Sequence, residues 1–390
     1  MLRINFKKIK KHLFEHKKRY LIILGILIIV LIFAGGTIAG YFIFRQNQKP
    51  QLQEQPQENI YIEFISEVYD KIKENYWNKI SDEELINLFK LAAEKLTQKP
   101  QNISSADKKG LTNLVTKITK DMDETKKKEF SAQLAHLVLV NLKPFGRSTL
   151  YVKKNEEELK NRVQNINPET GEVEPTVIGK LIRPDILHLY ISRISPTTVE
   201  DLKKETEKFD NINGLNTLIL DLRGNVGGSL DILSYLLGPF IGPNRYAFEI
   251  FQQENYEPFK TKFGWLPSLV RYKKVVILAD ENTQSSAEVM VATLKKYNVG
   301  VFVGTKTKGW GTIEKVYELE HQIDPNEKYS VFLVNHLTIR DDNQPIEGAG
   351  VEPIIDINNS DWEDRLFEYF NYNELIKAVK EIWNTPPEKI

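Results

Sequence analysis

Val275–Glu314 reads VVILADENTQSSAEVMVATLKKYNVGVFVGTKTKGWGTIE, and the order of its parts decides the fold. Val275 to Ala279 is a short apolar run of the length of a buried strand. A polar turn follows, and from about Ser286 the apolar Val289, Val291 and Leu294 recur at helical spacing. A second apolar run, Val299 to Val303, enters a glycine-rich loop from Gly304 to Gly311, and a further strand-like segment spans Thr312 to Leu319. A serine therefore sits at a strand-to-helix junction. Such a junction presents a hydroxyl above the sheet, beside helix-start N–H groups that lack intrahelical partners and can stabilise a developing oxyanion. A serine there can equally be only a helix cap.

Two other stretches tilt the balance. Leu215–Asp231, LNTLILDLRGNVGGSLD, is an apolar strand that breaks into a glycine turn and then a helix. Ile346–Ile357, IEGAGVEPIIDI, lies downstream. In this order and spacing the three stretches resemble the core of the carboxyl-terminal processing, or tail-specific, serine peptidases. The family signature is a Ser-Ala-Ser-Glu-like tetrapeptide whose first serine is the nucleophile, matched here by Ser285-Ser286-Ala287-Glu288. Its general base is a lysine in a Gly-Lys-Gly loop, and a glutamine four positions on orients that lysine. Here these positions fall on Trp310, within Gly309-Trp310-Gly311, and on Glu314. The resemblance implies an α/β (α+β) peptidase core over residues 178–358 and a protein or peptide substrate with an exposed C-terminus. It also implies an oxyanion site from the Gly227-Gly228 turn and the Ser286 amide, with neither cofactor nor metal.

Trp310 limits what the resemblance can deliver. A Ser–Lys dyad needs a neutral amine to take the serine proton, whereas an indole offers one donor and no acceptor. Lys308, two residues earlier and on the same side of an extended loop, is the candidate for a relocated base. Lys306 is a weaker one. Glu314 could pair with a displaced lysine, though that would make the lysine a poorer base. Two readings follow: an active serine endopeptidase that processes or degrades protein C-termini, and a pseudopeptidase that binds polypeptide or a partner protease without cutting.

Composition narrows the alternatives. Fifty-three basic residues balance 53 acidic ones, so no charge excess favours a nucleic-acid partner. There is no cysteine, hence no disulfide, thiolate metal site or cysteine nucleophile. The six histidines form no HExxH pair, and His188 and His336 both fall in apolar, strand-like settings. Gly224-Asn225-Val226-Gly227-Gly228 lacks the spacing of a phosphate-binding loop.

The chain begins with a basic segment, residues 1–20, carrying Arg3, Lys7, Lys8, Lys10, Lys11, Lys17, Lys18 and Arg19 against only Glu15. Residues 21–44 are uncharged and apolar over a length that crosses a bilayer, and this charge asymmetry places the N-terminus in the cytoplasm. The expectation is an uncleaved signal anchor, single-pass in the plasma membrane, with an extracytoplasmic body. Residues 45–59, rich in glutamine with Pro50 and Pro56, read as a tether. Residues 60–150 read as a helical N-terminal domain, with Ser81 and Glu84 forming a capping box. Members of the resembled family commonly carry a peptide-binding PDZ domain next. Here residues 151–177 are too few for an independent core. The segment from Arg245 to Leu269 reads as a strand pair on the core or as the lining of a peptide groove. Residues 359–390 read as closing helices.

Overall fold

The computed structural model describes residues 57–340 and 342–387. The expected membrane span and nearly all of the tether lie outside the described residues. Among the described residues no helix is long and apolar enough to cross a membrane.

Residues 60–390 form one compact unit. At its centre is a six-stranded sheet made of β2 (Val177–Arg183), β3 (Ile186–Ile191), β4 (Thr217–Asp221), β7 (Lys274–Ala279), β8 (Val301–Gly304) and β11 (Ile355–Asp356). Its spatial order is β11-β8-β7-β4-β3-β2, all parallel except the antiparallel edge pair β2 and β3. The parallel strands are joined through α6 (Thr198–Glu207), α7 (Leu230–Ile241) and α9 (Ser286–Lys296). Because the strands advance in one direction, crossovers of one hand put all three helices on one face. Leu202, Leu233 and Val289 accordingly share a core with Leu218, Leu220 and Ile277. The alternate residues Ile219, Val276 and Leu278 face α10 (Trp362–Phe370) and α11 (Asn373–Trp383). Helices on both faces explain why the central strands read as continuous apolar runs rather than alternating ones.

The N-terminal helices are α1 (Gln57–Asn75), α2 (Asp82–Thr97), α3 (Lys108–Thr119) and α4 (Glu124–Val140). Ser81 Oγ accepts the Glu84 amide at 3.1 Å while Glu84 Oε2 accepts the Ser81 amide at 3.0 Å, the reciprocal cap expected from sequence. These helices share a core with a second, antiparallel sheet, since Phe64, Phe89 and Leu134 cluster with Val331 and Leu333. That sheet comprises β1 (Thr149–Val152), β5 (Tyr246–Gln252), β6 (Asn255–Lys260), β9 (Thr312–Glu318) and the eleven-residue β10 (Tyr329–Ile339). The stretch from Arg245 thus opens with a strand pair, β5 on β6, followed by the short helix α8 (Pro267–Val270). Between β1 and β2 lie α5 (Lys153–Gln164), which buries no side chain, and a small bridge from Ile166 to Val173.

Ile277 is fully buried in the centre of the parallel sheet. Ile277→Ala is expected to cost about 2–5 kcal/mol through lost transfer energy and an unfilled cavity, read as a lowered denaturant midpoint.

Candidate active site

Three consecutive loops leave the carboxyl ends of β4, β7 and β8 and meet. After β7, Asp280 Oδ1 accepts the amides of Asn282 at 3.1 Å, Thr283 at 3.0 Å and Gly224 at 2.9 Å, tying this loop to the one after β4. The Gln284 amide then donates to Asn225 O at 2.9 Å. Ser285 follows at φ 58°, ψ −132°, a strained backbone for a residue with a Cβ, and α9 starts at the next residue. Gly227, at φ 81°, packs under it: a Cβ there would come within 2.8 Å of Ser285 Cβ and 3.0 Å of the Ser286 nitrogen. Only glycine fits both the backbone sign and the space.

The hydroxyl of Ser285 is half-exposed and does not cap its helix. Around it the backbone donors divide. The Gly227 amide is already given to Asn225 Oδ1 at 2.8 Å. The Gly228 and Ser286 amides make no hydrogen bond among the described residues. Gly228 O accepts the Ser286 hydroxyl at 3.3 Å, which holds the two segments side by side.

Glu288 joins these pieces. Its Oε2 accepts the Ser285 amide at 3.0 Å and the Trp310 amide at 2.7 Å. Its Oε1 accepts the Gly309 amide at 2.7 Å and the Thr307 hydroxyl at 2.6 Å. Burial pushes this carboxyl above its ordinary value, opposed by those four donors, which favour the anion. The backbones of residues 285 and 310 thus hang from the same oxygen atom.

Trp310 is held from two sides. Arg147 lies over its ring, 3.4 Å from the guanidinium carbon to the centroid, and its Nε1 points to Glu314 Oε1 at 3.4 Å. Arg147 also pairs with Glu347 at 3.2 Å, and the other oxygen of Glu347 takes the Gly311 amide at 2.8 Å. Gly311 leaves no room for a side chain, because a Cβ would fall 2.2 Å from the Glu347 nitrogen. The downstream IEGAG stretch is therefore the floor under the Gly-Trp-Gly loop.

Glu314 pairs with no displaced ammonium: besides Trp310 it accepts the Thr312 hydroxyl at 2.5 Å. Burial raises its carboxyl, with Thr312, Trp310 and the Arg147 charge opposing. Lys306 is engaged with Glu352 at 2.9 Å. Lys308 is exposed, and its amide is fixed to Thr283 O at 3.0 Å, two residues before Ser285. Thr307 and Gly309 are buried, Lys308 is exposed and Trp310 half-buried, and Gly309 turns the chain at φ 78° between the last two, so the loop is not extended there.

None of the four described histidines is hydrogen-bonded to Ser285. His188 Nε2 meets Asp221 Oδ2 at 3.0 Å on the sheet face covered by α11, and Arg223 holds the same carboxylate through Nε at 2.9 Å. Asp221 and Arg223 thus form a buried ion pair. His336 lies on β10 with its Nδ1 buried and unpartnered. Among the described residues no cluster of three or more His, Asp or Glu could hold a metal ion.

Sequence reasoning quoted Glu288 only as a letter of the signature and missed Arg147, Thr307 and Glu347 altogether. The Ser-x-x-Glu spacing at a helix start was the available signal for Glu288. The others come from distant parts of the chain and left none.

Taken together, a strained serine stands at a strand-to-helix junction at the carboxyl end of a parallel sheet, beside a glycine turn, with the Gly228 and Ser286 amides unpaired among the described residues. Residues 185–357 match peptidase family S41. That match, a little under half of the chain, supports kinship of this part with the carboxyl-terminal processing or tail-specific serine peptidases. A "Probable CtpA-like serine protease" of Staphylococcus epidermidis is 24% identical over 215 residues, covering 55% of this chain and 41% of its own length. One of the same name from Staphylococcus aureus is 24% identical over 240 residues, covering 60% and 46%. The chain thus spans less than half the length of these curated relatives. A lipoprotein from Streptococcus agalactiae shares the fold, with TM-score 0.51 at 16% identity over 83% of this chain and 99% of that one.

Glu288→Gln keeps the shape but turns an N–H group toward amide donors. It is expected to cost about 1–3 kcal/mol for each donor left orphaned, measured by chemical denaturation. His336 gives a pH test. Burial, with a smaller contribution from Lys315, pushes its ring down to about 4. The unfolded chain then binds more protons between its ordinary value near 6.5 and about 4, so stability falls as pH drops through that window. His336→Phe should flatten this part of the stability–pH curve.

Proposed function

We propose that the protein is a membrane-tethered, extracytoplasmic serine endopeptidase that processes or degrades protein C-termini, with Ser285 as nucleophile. The observation that supports it best is the backbone of Ser285. A non-glycine residue held at φ 58° costs roughly 1–3 kcal/mol and persists only where its surroundings over-determine it. In this reading the hydroxyl works beside the unpaired Gly228 and Ser286 amides, as in nucleophile elbows of other serine hydrolases.

In this reading Ser285 Oγ attacks the scissile carbonyl carbon, and the carbonyl oxygen gains negative charge between the Gly228 and Ser286 amides. The hydroxyl proton passes to the Lys308 amine as the C–O bond forms. It is returned to the departing amine as the C–N bond breaks, and water then hydrolyses the acyl-enzyme by the same route. Glu288 holds Ser285 and the loop that bears Lys308 in one frame. The basic segment before residues 21–44 supports a cytoplasmic N-terminus and an outward body.

Trp310 favours a second reading, capture of extended polypeptide without cleavage, because it fills the base position and accepts no proton.

The test is an unstructured peptide with an apolar carboxyl end, incubated with the full chain in detergent from neutral to alkaline pH. Cleavage should rise toward alkaline pH, since a lysine base works only as the free amine. Ser285→Ala should abolish it, and Lys308→Ala should lower kcat about 10²-fold or more. A parent chain that binds the peptide but never cuts it, alongside a Trp310→Lys variant that does cut, decides for the second reading.

A further inference from the structure

Away from Ser285, the loop after β6 holds aromatic rings at the surface. Phe263 is 48% exposed and Trp265 53%, beside Tyr235 of α7 at 37%. These rings are fixed in place. Trp265 backs onto Gly242, where a Cβ would come within 2.7 Å of the indole, and Phe263 meets Tyr235 edge-on with centroids 5.0 Å apart. The loop is pinned to α7 through the Lys262 amide to Ser234 O at 2.9 Å and the Leu266 amide to Pro239 O at 3.3 Å.

Positive charge surrounds the rings. Arg245, beside Thr261 through paired backbone hydrogen bonds of 2.8 and 2.9 Å, is exposed, as are Lys260 and Lys262. Some surface lysines elsewhere, such as Lys79, Lys306 and Lys380, have carboxylate partners. The side chains of Arg245, Lys260 and Lys262 have no such partner among the described residues. Residues 258–279 hold five basic side chains and no acidic one, in a chain whose charges balance as a whole.

We propose that this face, Phe263 and Trp265 with Arg245, Lys260 and Lys262, docks the folded body onto an anionic phospholipid surface. Amphipathic rings settle at headgroup depth, and unpaired cations beside them add attraction to anionic lipid. The rings sit on a loop and offer no ladder of backbone donors and acceptors to an extended chain, which argues against a polypeptide occupant. The proposal rests on the membrane-tethered reading for the presence of the bilayer, and not on catalysis. Docking would orient the body instead of leaving it to swing on its tether.

The chain has no cysteine, so one can be introduced alone. Gly264 suits it: a Cβ there meets nothing nearer than 3.8 Å, and both rings are kept. The full-length Gly264→Cys protein, labelled with an environment-sensitive fluorophore, is mixed with excess vesicles of equal parts phosphatidylglycerol and phosphatidylcholine. A label at exposed Asn326→Cys serves as control.

The expected result is a blue shift and a several-fold rise in emission at position 264, quenched by lipid-borne quenchers and absent at position 326. The response should be lost on phosphatidylcholine alone and when Arg245, Lys260 and Lys262 are all changed to Gln. Flotation of the chain with the vesicles reports separately on the anchor. Flotation with a silent label at 264 overturns the docking and leaves the tether intact. A silent label without flotation overturns both. A label that responds to unfolded polypeptide and not to vesicles assigns the face to a protein partner, and also overturns the proposal.

Discussion

One buried carboxylate holds the functional end of this molecule together. Glu288 gathers two backbone amides and a hydroxyl from the loop after β8, together with the amide of Ser285, on its two oxygens. Removing a carboxylate from water is expensive, and the cost is met only when its lone pairs find donors. Each donor here also fixes a backbone. The Thr307 hydroxyl accepts the Val351 amide at 2.8 Å, so the same network reaches the IEGAG segment. Three loops far apart in sequence are thereby locked in register at the carboxyl ends of the parallel strands, where this class of sheet opens a crevice.

This clamp also explains how position 310 can carry a tryptophan without harm to the fold. Every bond that Glu288 makes to residues 309 and 310 is to backbone amides, so the architecture is indifferent to the side chain there. The indole finds its own support from the Arg147 guanidinium above its ring and from Glu314 at its edge. A cation over an indole contributes about 0.5–2 kcal/mol, enough to hold the ring in one orientation. Scaffold and chemistry are therefore separable at this site. The geometry that presents Ser285 is set by backbone bonds and not by the side chain at position 310.

The wider fold serves the same end. Helices α6, α7 and α9 cover one face of the central sheet and α10 and α11 the other. The strand ends alone are left to build the site. The antiparallel sheet and the N-terminal helices share a separate core, and β9 leaves that sheet to run straight back into Gly311. Thr338 of β10 donates its amide to Gly311 O at 2.8 Å, so the second sheet braces the loop that carries Trp310.

Local pattern was enough for much of this. Apolar runs marked β4, β7 and β8. Helical spacing after Ser285 marked α9, and the Ser81 and Glu84 pair marked the start of α2. These elements are dictated by neighbours within a few residues, which is the range that periodicity and capping report. The signature letters placed Ser285, and counting forward placed Trp310. What no local reading reached was the eleven-residue strand β10 or the antiparallel sheet it organises, because its partners β1, β5 and β9 come from three separate parts of the chain. The division of backbone donors, with Gly227 engaged while Gly228 and Ser286 are left unpaired, depended on Asn225 folding back beneath the turn. The sequence by itself determined which serine stands at the junction and that a tryptophan lies between the two glycines of the later loop. Tertiary structure alone decided what those residues face, since contacts between segments a hundred residues apart are set by packing and by the pairing of buried polar groups.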